Sequence, residues 1–124
     1  MTEEFTIAVT VGPAMSDVTV YRLAEQWEQS RGAPLALFEQ TDPDAQVGSY
    51  VIEPGERVPQ DGTTNHDGDE ISVILSGEID LVVEDDRRSV GPESLTVIPA
   101  GTPHYSENTG DDPVRLIYAV LGEL

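Results

Sequence analysis

The chain contains only two histidines, His66 and His104, and it contains no cysteine. The absence of cysteine excludes disulfides, zinc ribbons, iron-sulfur clusters and thiol nucleophiles. Any chemistry is therefore left to histidine, carboxylate, hydroxyl and arginine side chains. Both histidines have turn-forming neighbours: His66 lies within residues 62–69, and His104 follows the Pro-Ala-Gly-Thr-Pro sequence of residues 99–103. The search for a functional site begins with these two side chains.

A carboxylate, Glu70, follows His66 by four residues and begins an apolar segment. A Ser-Gly-Glu turn sequence predicts a hairpin between strands at residues 70–75 and 79–83. Alternation along the first of these strands places Glu70 and Ser72 on the same face. A simpler interpretation is that His66 is a solvated loop residue, because the acidic side chains beside it supply charge partners.

Short β-branched and apolar segments, separated by glycine and proline, predict an all-β domain. The predicted strands cover residues 5–11, 18–23, 35–40, 47–53, 71–75, 79–84, 94–98 and 114–121. One short helix is predicted at residues 23–31, where Gly32 would end it. A length of 124 residues allows one domain, and many short strands require a sandwich, a jelly roll or a barrel.

The segments around the two histidines resemble the two sequence motifs of the cupin family. The first cupin motif contains two histidines separated by one residue, then a glutamate and a glycine, and its second half is matched by His66, Glu70 and Gly77. The second motif is matched throughout, by Gly91, Pro99, Gly101, His104 and Asn108. The glycines, the proline and Asn108 are interpreted as structural residues of turns.

This resemblance implies a double-stranded β-helix, the cupin jelly-roll barrel, formed by a single domain over residues 1–124. The two motifs occupy residues 62–77 and 91–108. Residues 1–34 are expected to form an N-terminal extension that contains an additional strand and the one short helix. The resemblance also implies a homodimer.

The resemblance further implies that His66, Glu70 and His104 bind one divalent transition metal ion. Two histidines and one carboxylate form a facial triad with open positions, which suits iron(II) and accepts manganese, cobalt, nickel or zinc. The sequence departs from the family at Thr64, which stands where the first motif histidine should be. Because a hydroxyl cannot replace imidazole as a strong ligand, a metal-free protein stays an alternative.

Four residues near these ligands are candidates for a substrate pocket: Tyr50, Thr64, Ser72 and Ser106. Ser106 is preferred over Tyr105 because alternation places it on the same side as His104. Arg57 could bind an anionic group, although its position in a proline-rich segment favours a solvated surface residue. Trp27 and Phe38 are expected to pack in the core or in an interface.

The sequence therefore predicts a metal-dependent enzyme, either an oxygenase or a lyase or isomerase, that acts on a small polar or anionic molecule. The alternative, from a different functional class, is a non-catalytic protein that binds or senses a small ligand. A metal-free structural cupin is a third possibility, because one fold hosts several functions.

The chain carries 24 Asp and Glu residues against six Arg and no Lys, for a net charge of -18. Such a surface repels nucleic acids, whose binding depends on cationic side chains. No apolar run approaches the roughly 18 residues of a membrane span, and the acidic start lacks the positive region of a secretory signal. We therefore expect a cytoplasmic protein without nucleic-acid or membrane partners. The composition resembles that of halophilic microbes, especially haloarchaea.

Stability should depend steeply on salt if this composition is an adaptation to molar salt. The Debye length falls from about 10 Å at 0.1 M salt to about 3 Å at 1 M, so salt screens the repulsion between acidic side chains. We expect the thermal unfolding midpoint to rise strongly across that range, as measured by circular dichroism. An unchanged midpoint would instead identify an ordinary acidic protein.

Overall fold

The computed structural model describes residues 18–122, and the regular structure of this part is almost entirely β-strand. The strands are β1 Leu35–Gln40, β2 Ala45–Ile52, β3 Arg57–Val58, β4 Asp69–Ser76, β5 Ile79–Val83, β6 Asp86–Val90, β7 Ser94–Ile98, β8 His104–Glu107 and β9 Val114–Leu121. The all-β prediction is confirmed. Within residues 18–122 no helix is long and apolar enough to cross a membrane.

The strands form two antiparallel sheets. The first has the order β1-β2-β9-β4-β7, and the second has the order β3-β8-β5-β6. Ile52 and Ile74 of the first sheet line the same interior as Ile79 and Val90 of the second. The two sheets enclose one interior, and most strands that follow each other in the chain lie in different sheets. This arrangement is the predicted jelly-roll barrel.

The predicted hairpin between β4 and β5 is wrong. β4 pairs with β7 and β9, whereas β5 pairs with β6 and β8 in the other sheet. The turn at Gly77 carries the chain from one sheet to the other, with φ at 83°, and a Cβ there would lie 2.5 Å from the carbonyl oxygen of Pro113. A turn sequence specifies only the local course of the chain. The partner of a strand depends on how its inner face and that of its neighbour become buried in the whole fold.

The core lies between the sheets and consists mainly of β-branched and aliphatic side chains. β9 illustrates the pattern, because Val114, Leu116, Tyr118 and Val120 point inward while the residues between them are more exposed. Phe38 does not belong to this core, because it is 51% exposed.

The segment before β1 differs from its prediction. Instead of a helix at residues 23–31 there are two short 3-10 turns, Leu23–Glu25 and Trp27–Ser30, and residues 18–22 form no strand. Ser30 is completely buried, donates a hydrogen bond to the Gln26 carbonyl oxygen and accepts one from Ser49 on β2. Such side-chain bonds to the backbone compete with a regular helix. The predicted strand at residues 5–11 lies outside the described residues.

Asn108 joins the loop after β8 to the end of β2. Its side chain is completely buried, and Nδ2 donates hydrogen bonds to the carbonyl oxygens of Ile52 and Asp112 at 2.9 and 2.8 Å. Its Oδ1 accepts a hydrogen bond from the Gly110 amide. The structural role that the sequence suggested for Asn108 thus takes the form of a buried cross-link between its own loop and the end of β2.

Candidate metal centre

Three chain segments bring the predicted ligands together. Glu70 is the second residue of β4 and His104 is the first residue of β8, so each belongs to a different sheet. His66 lies in the loop just before β4. All three side chains meet at the wall of the interior cavity.

The three side chains form one compact cluster. Glu70 Oε1 lies 3.1 Å from His66 Nε2 and 3.4 Å from His104 Nε2. One ligand atom from each residue can be chosen so that all three lie within 4.8 Å of one another. This separation allows a single ion to contact all three.

Hydrogen bonds between the two motif segments hold the histidines near each other. Thr64 and His104 exchange two backbone hydrogen bonds of 2.9 Å, and the Gly101 amide donates to the His66 carbonyl oxygen at 2.8 Å. The Ala100 amide donates to Asp69 Oδ1 at 2.9 Å. The loop that carries His66 is therefore fastened to the loop that precedes His104. Sequence reasoning missed Asp69, which looked like one more solvated acid.

The electrostatics of the cluster favour a charged carboxylate. Burial alone would raise the pKa of Glu70, but hydrogen bonds and positive charge from His104 and His66 outweigh it and lower this pKa. Burial lowers the pKa of His104, whereas its hydrogen bonds to Glu70 and to the Thr102 carbonyl raise it by more. Glu70 is thus held in the anionic form that a cation requires.

The surroundings of the histidines also fit a metal ion. His104 Nδ1 lies 2.9 Å from the Thr102 carbonyl oxygen, and a hydrogen bond donated there leaves Nε2, which faces Glu70, as the ring nitrogen that a metal ion would take in place of a proton. Metal-binding histidines commonly donate their other ring nitrogen in this way. His66 Nδ1 is buried and has no hydrogen-bond partner within residues 18–122. An imidazole with an unsatisfied ring nitrogen, beside a second imidazole and a carboxylate, is suited to a divalent transition metal.

The cavity next to the cluster has a volume of about 280 Å³. All four candidate pocket residues, Tyr50, Thr64, Ser72 and Ser106, line it. Tyr105 lies outside the lining, on the outer face of its sheet, where the Arg57 guanidinium lies 3.7 Å from its ring centre.

Arg57 is a structural residue outside the pocket. Its guanidinium donates hydrogen bonds to the carbonyl oxygens of Pro59 and Gly62. These bonds order the loop after β3, and they leave no role for Arg57 in binding an anion inside the barrel.

Tyr118 and Gln46 are pocket residues that sequence reasoning missed. The Tyr118 hydroxyl donates a 2.7 Å hydrogen bond to Gln46 Oε1, although the two residues are far apart in the chain. Burial raises the pKa of Tyr118. The alternation of β9 could have identified Tyr118 as an inward residue, but no sequence signal indicates its partner.

Comparison with known proteins agrees with this architecture. The Cupin_2 family model, which describes a cupin domain, matches residues 48–120. A comparison with curated protein sequences gives no match.

Solved structures share the fold at low sequence identity. A cupin superfamily protein from Desulfitobacterium hafniense is 19% identical with a TM-score of 0.65, over 90% of this chain and 94% of that one. A double-stranded β-helix protein from Klebsiella pneumoniae is 17% identical with a TM-score of 0.70, over 86% and 92% of the two chains. The Cupin_2 domain of an XRE family transcriptional regulator from Enterobacter cloacae is 20% identical with a TM-score of 0.64, over 74% and 97%. Since the family model covers more than half of the sequence, the chain belongs to the Cupin_2 family of cupin domains.

Proposed function

We propose that this protein is a metal-dependent enzyme acting on a small molecule, with one divalent transition metal ion held by His66, Glu70 and His104. The observation that carries the proposal is the convergence of these three donors at the wall of an internal cavity. A perturbed carboxylate and histidines beside a cavity are typical of functional sites.

The residues have distinct tasks in this proposal. Glu70 supplies negative charge, and the Thr102 carbonyl orients the His104 ring. A bound transition metal would supply Lewis acidity or the activation of oxygen. The largely apolar lining would lower the local dielectric constant and so strengthen electrostatic interactions beside the cluster. An oxygenase is favoured slightly over a lyase or isomerase.

The test is elemental analysis of tag-free protein, purified in molar salt without a nickel column and then compared before and after chelation. The proposal expects near-stoichiometric iron, manganese, cobalt, nickel or zinc. It also expects turnover of small molecules under air that chelation removes and the same metal restores. Protein that stays free of metal after reconstitution with each of these ions would contradict it.

A non-catalytic ligand-binding or sensor protein is the second candidate. Two observations favour it: Thr64 replaces a family histidine, and a domain of similar fold belongs to the Enterobacter cloacae transcriptional regulator. A sensor would gain thermal stability from its ligand by mass action without forming product. A metal-free structural cupin would show no change in unfolding midpoint on chelation.

The expected homodimer is also a proposal. The outer face of the first sheet supports it, because exposed Leu95 and Val97 on β7 lie in register with Val73 and Ile71 on β4. An exposed apolar patch is unusual on so acidic a protein and fits a second copy of itself. We expect Val97→Glu to convert a dimer to a monomer in light scattering at molar salt, whereas Ser89→Glu, exposed on β6 of the second sheet, should not. A monomeric wild type would refute the dimer.

A further inference from the structure

The chemical class of the ligand follows from the lining of the cavity beside the proposed metal centre. The walls are formed largely by aliphatic side chains from both sheets, including Ile52, Ile74, Ile79, Leu81 and Leu116. The volume of about 280 Å³ lies just below the range of roughly 300–1,000 Å³ that is typical of ligand pockets. At about 30 Å³ for each water molecule, it equals roughly nine waters. The space therefore suits a small organic molecule.

The cavity offers no lysine or arginine to an anion, and its two histidines already face the Glu70 carboxylate. The sequence has no lysine, and none of its six arginines, all within residues 18–122, lines the cavity. Arg57 is bonded to loop carbonyls, Arg87 pairs with Asp80 and Glu107, and Arg88 pairs with Asp86. An anionic group in this cavity would be desolvated without a protein partner, which is strongly unfavourable.

For a cation the cavity has one partner, and that partner is already engaged. Among residues 18–122, Glu70 is the only acidic residue in its lining, and both histidines already contact its carboxylate. The remaining polar side chains of the lining are neutral: they are the hydroxyls of Tyr50, Thr64, Ser72, Thr96, Ser106 and Tyr118 and the amide of Gln46. Such hydroxyls can orient a ligand through hydrogen bonds but cannot neutralise a full charge.

We infer that the cavity binds an uncharged, mainly apolar organic molecule with one polar oxygen function. This inference deepens the proposed function, since the oxygen function would face the metal centre, and it differs from the polar or anionic substrate that the sequence predicted. The preference against charge depends on the cavity walls themselves. It should therefore hold in the metal-free protein, whereas a bound divalent cation would add attraction for an anion.

The experiment compares three planar probes of closely similar size: neutral acetophenone, anionic benzoate and cationic benzamidinium. Binding is measured by calorimetry on metal-loaded and on chelator-treated full-length protein, in molar salt, which screens attraction of benzamidinium to the acidic surface. Acetophenone should bind the chelator-treated protein at least about tenfold more tightly than either ion does, a difference of about 1.4 kcal/mol. Equal or tighter binding of an ion to the metal-free protein, or no binding of acetophenone, would overturn the inference.

Two further measurements locate the binding. Ser106→Leu, which fills part of the cavity, should weaken acetophenone binding about tenfold, whereas Ser89→Leu on exposed β6 should leave it unchanged. Nuclear Overhauser effects between the acetophenone ring and isoleucine methyl groups in wild-type protein give the same information without a variant. Absence of contacts to Ile52 and Ile74 would place the ligand elsewhere and refute the inference.

The outcome is separable from that of the proposed function. Metal content is measured on the same samples. Protein that binds acetophenone preferentially but never binds metal would refute the metal-dependent enzyme and support the ligand class. Protein that binds stoichiometric metal but prefers benzoate in its metal-free form would refute the ligand class and support the metal-dependent enzyme.

Discussion

His104→Ala is expected to reduce metal affinity by more than about 100-fold, and so to yield protein without metal after dialysis. Loss of a residue that merely orients a ligand typically lowers affinity 10–100-fold, so loss of a ligand should have a larger effect. Glu70→Gln should have a comparable effect, because it removes the only carboxylate charge of the cluster. Elemental analysis and titration with the metal found in wild-type protein provide the measurement.

The matched control is Asp67→Asn, which neutralises an exposed acid in the loop that carries His66. It should retain wild-type metal content, because Asp67 is not part of the cluster. Circular dichroism should show that His104→Ala remains folded, since the two hydrogen bonds between residue 104 and Thr64 are made by the backbone. Full metal content in folded His104→Ala would remove His104 from the site and, with it, the proposed metal centre.

Asn108→Ala is expected to cause the largest loss of stability, roughly 3 kcal/mol or more. The substitution removes three hydrogen bonds and leaves the carbonyl oxygen of Ile52 without the Asn108 donor. An unsatisfied buried polar group costs about 1–3 kcal/mol, and a whole domain is stable by only about 5–15 kcal/mol. Urea unfolding in molar salt measures the change.

The control for this substitution is Asn65→Ala, because Asn65 is exposed. It should alter the free energy of unfolding by less than about 0.5 kcal/mol. Asn108→Asp distinguishes the two sides of the amide, because it keeps an oxygen acceptor for Gly110 but loses both donors. Nearly the full loss is expected with Asp as well. Equal stability of the Asn108 and Asn65 variants would show that the buried cross-link contributes little.

The strands that the sequence predicted are those with a strong local signal. β1, β2, β4, β5, β7 and β9 all coincide with apolar or β-branched segments. β6 was missed because its sequence, Asp-Arg-Arg-Ser-Val, is polar, and β8 was missed because it begins with a cavity histidine. β6 lies at the edge of its sheet and β8 lines the cavity. Neither position requires the apolar pattern on which strand prediction depends.

The sequence by itself determined the fold class and the candidate ligands. The resemblance of two segments to the cupin motifs grouped His66, Glu70 and His104, and the absence of cysteine excluded thiol chemistry. The exclusion depends on residue type alone, and the grouping depends on the residue pattern within each motif. They needed no knowledge of which strands pair.

The tertiary structure alone decided how the site is built. It placed β4 and β5 in different sheets, fastened the loop of His66 to that of His104, and enclosed a cavity without arginine. It also brought together pairs that are distant in sequence, such as Tyr118 with Gln46 and Asn108 with Ile52. The physical reason is that such contacts follow from burying the inner faces of two sheets against each other. That burial depends on the whole chain and is not encoded in any one segment.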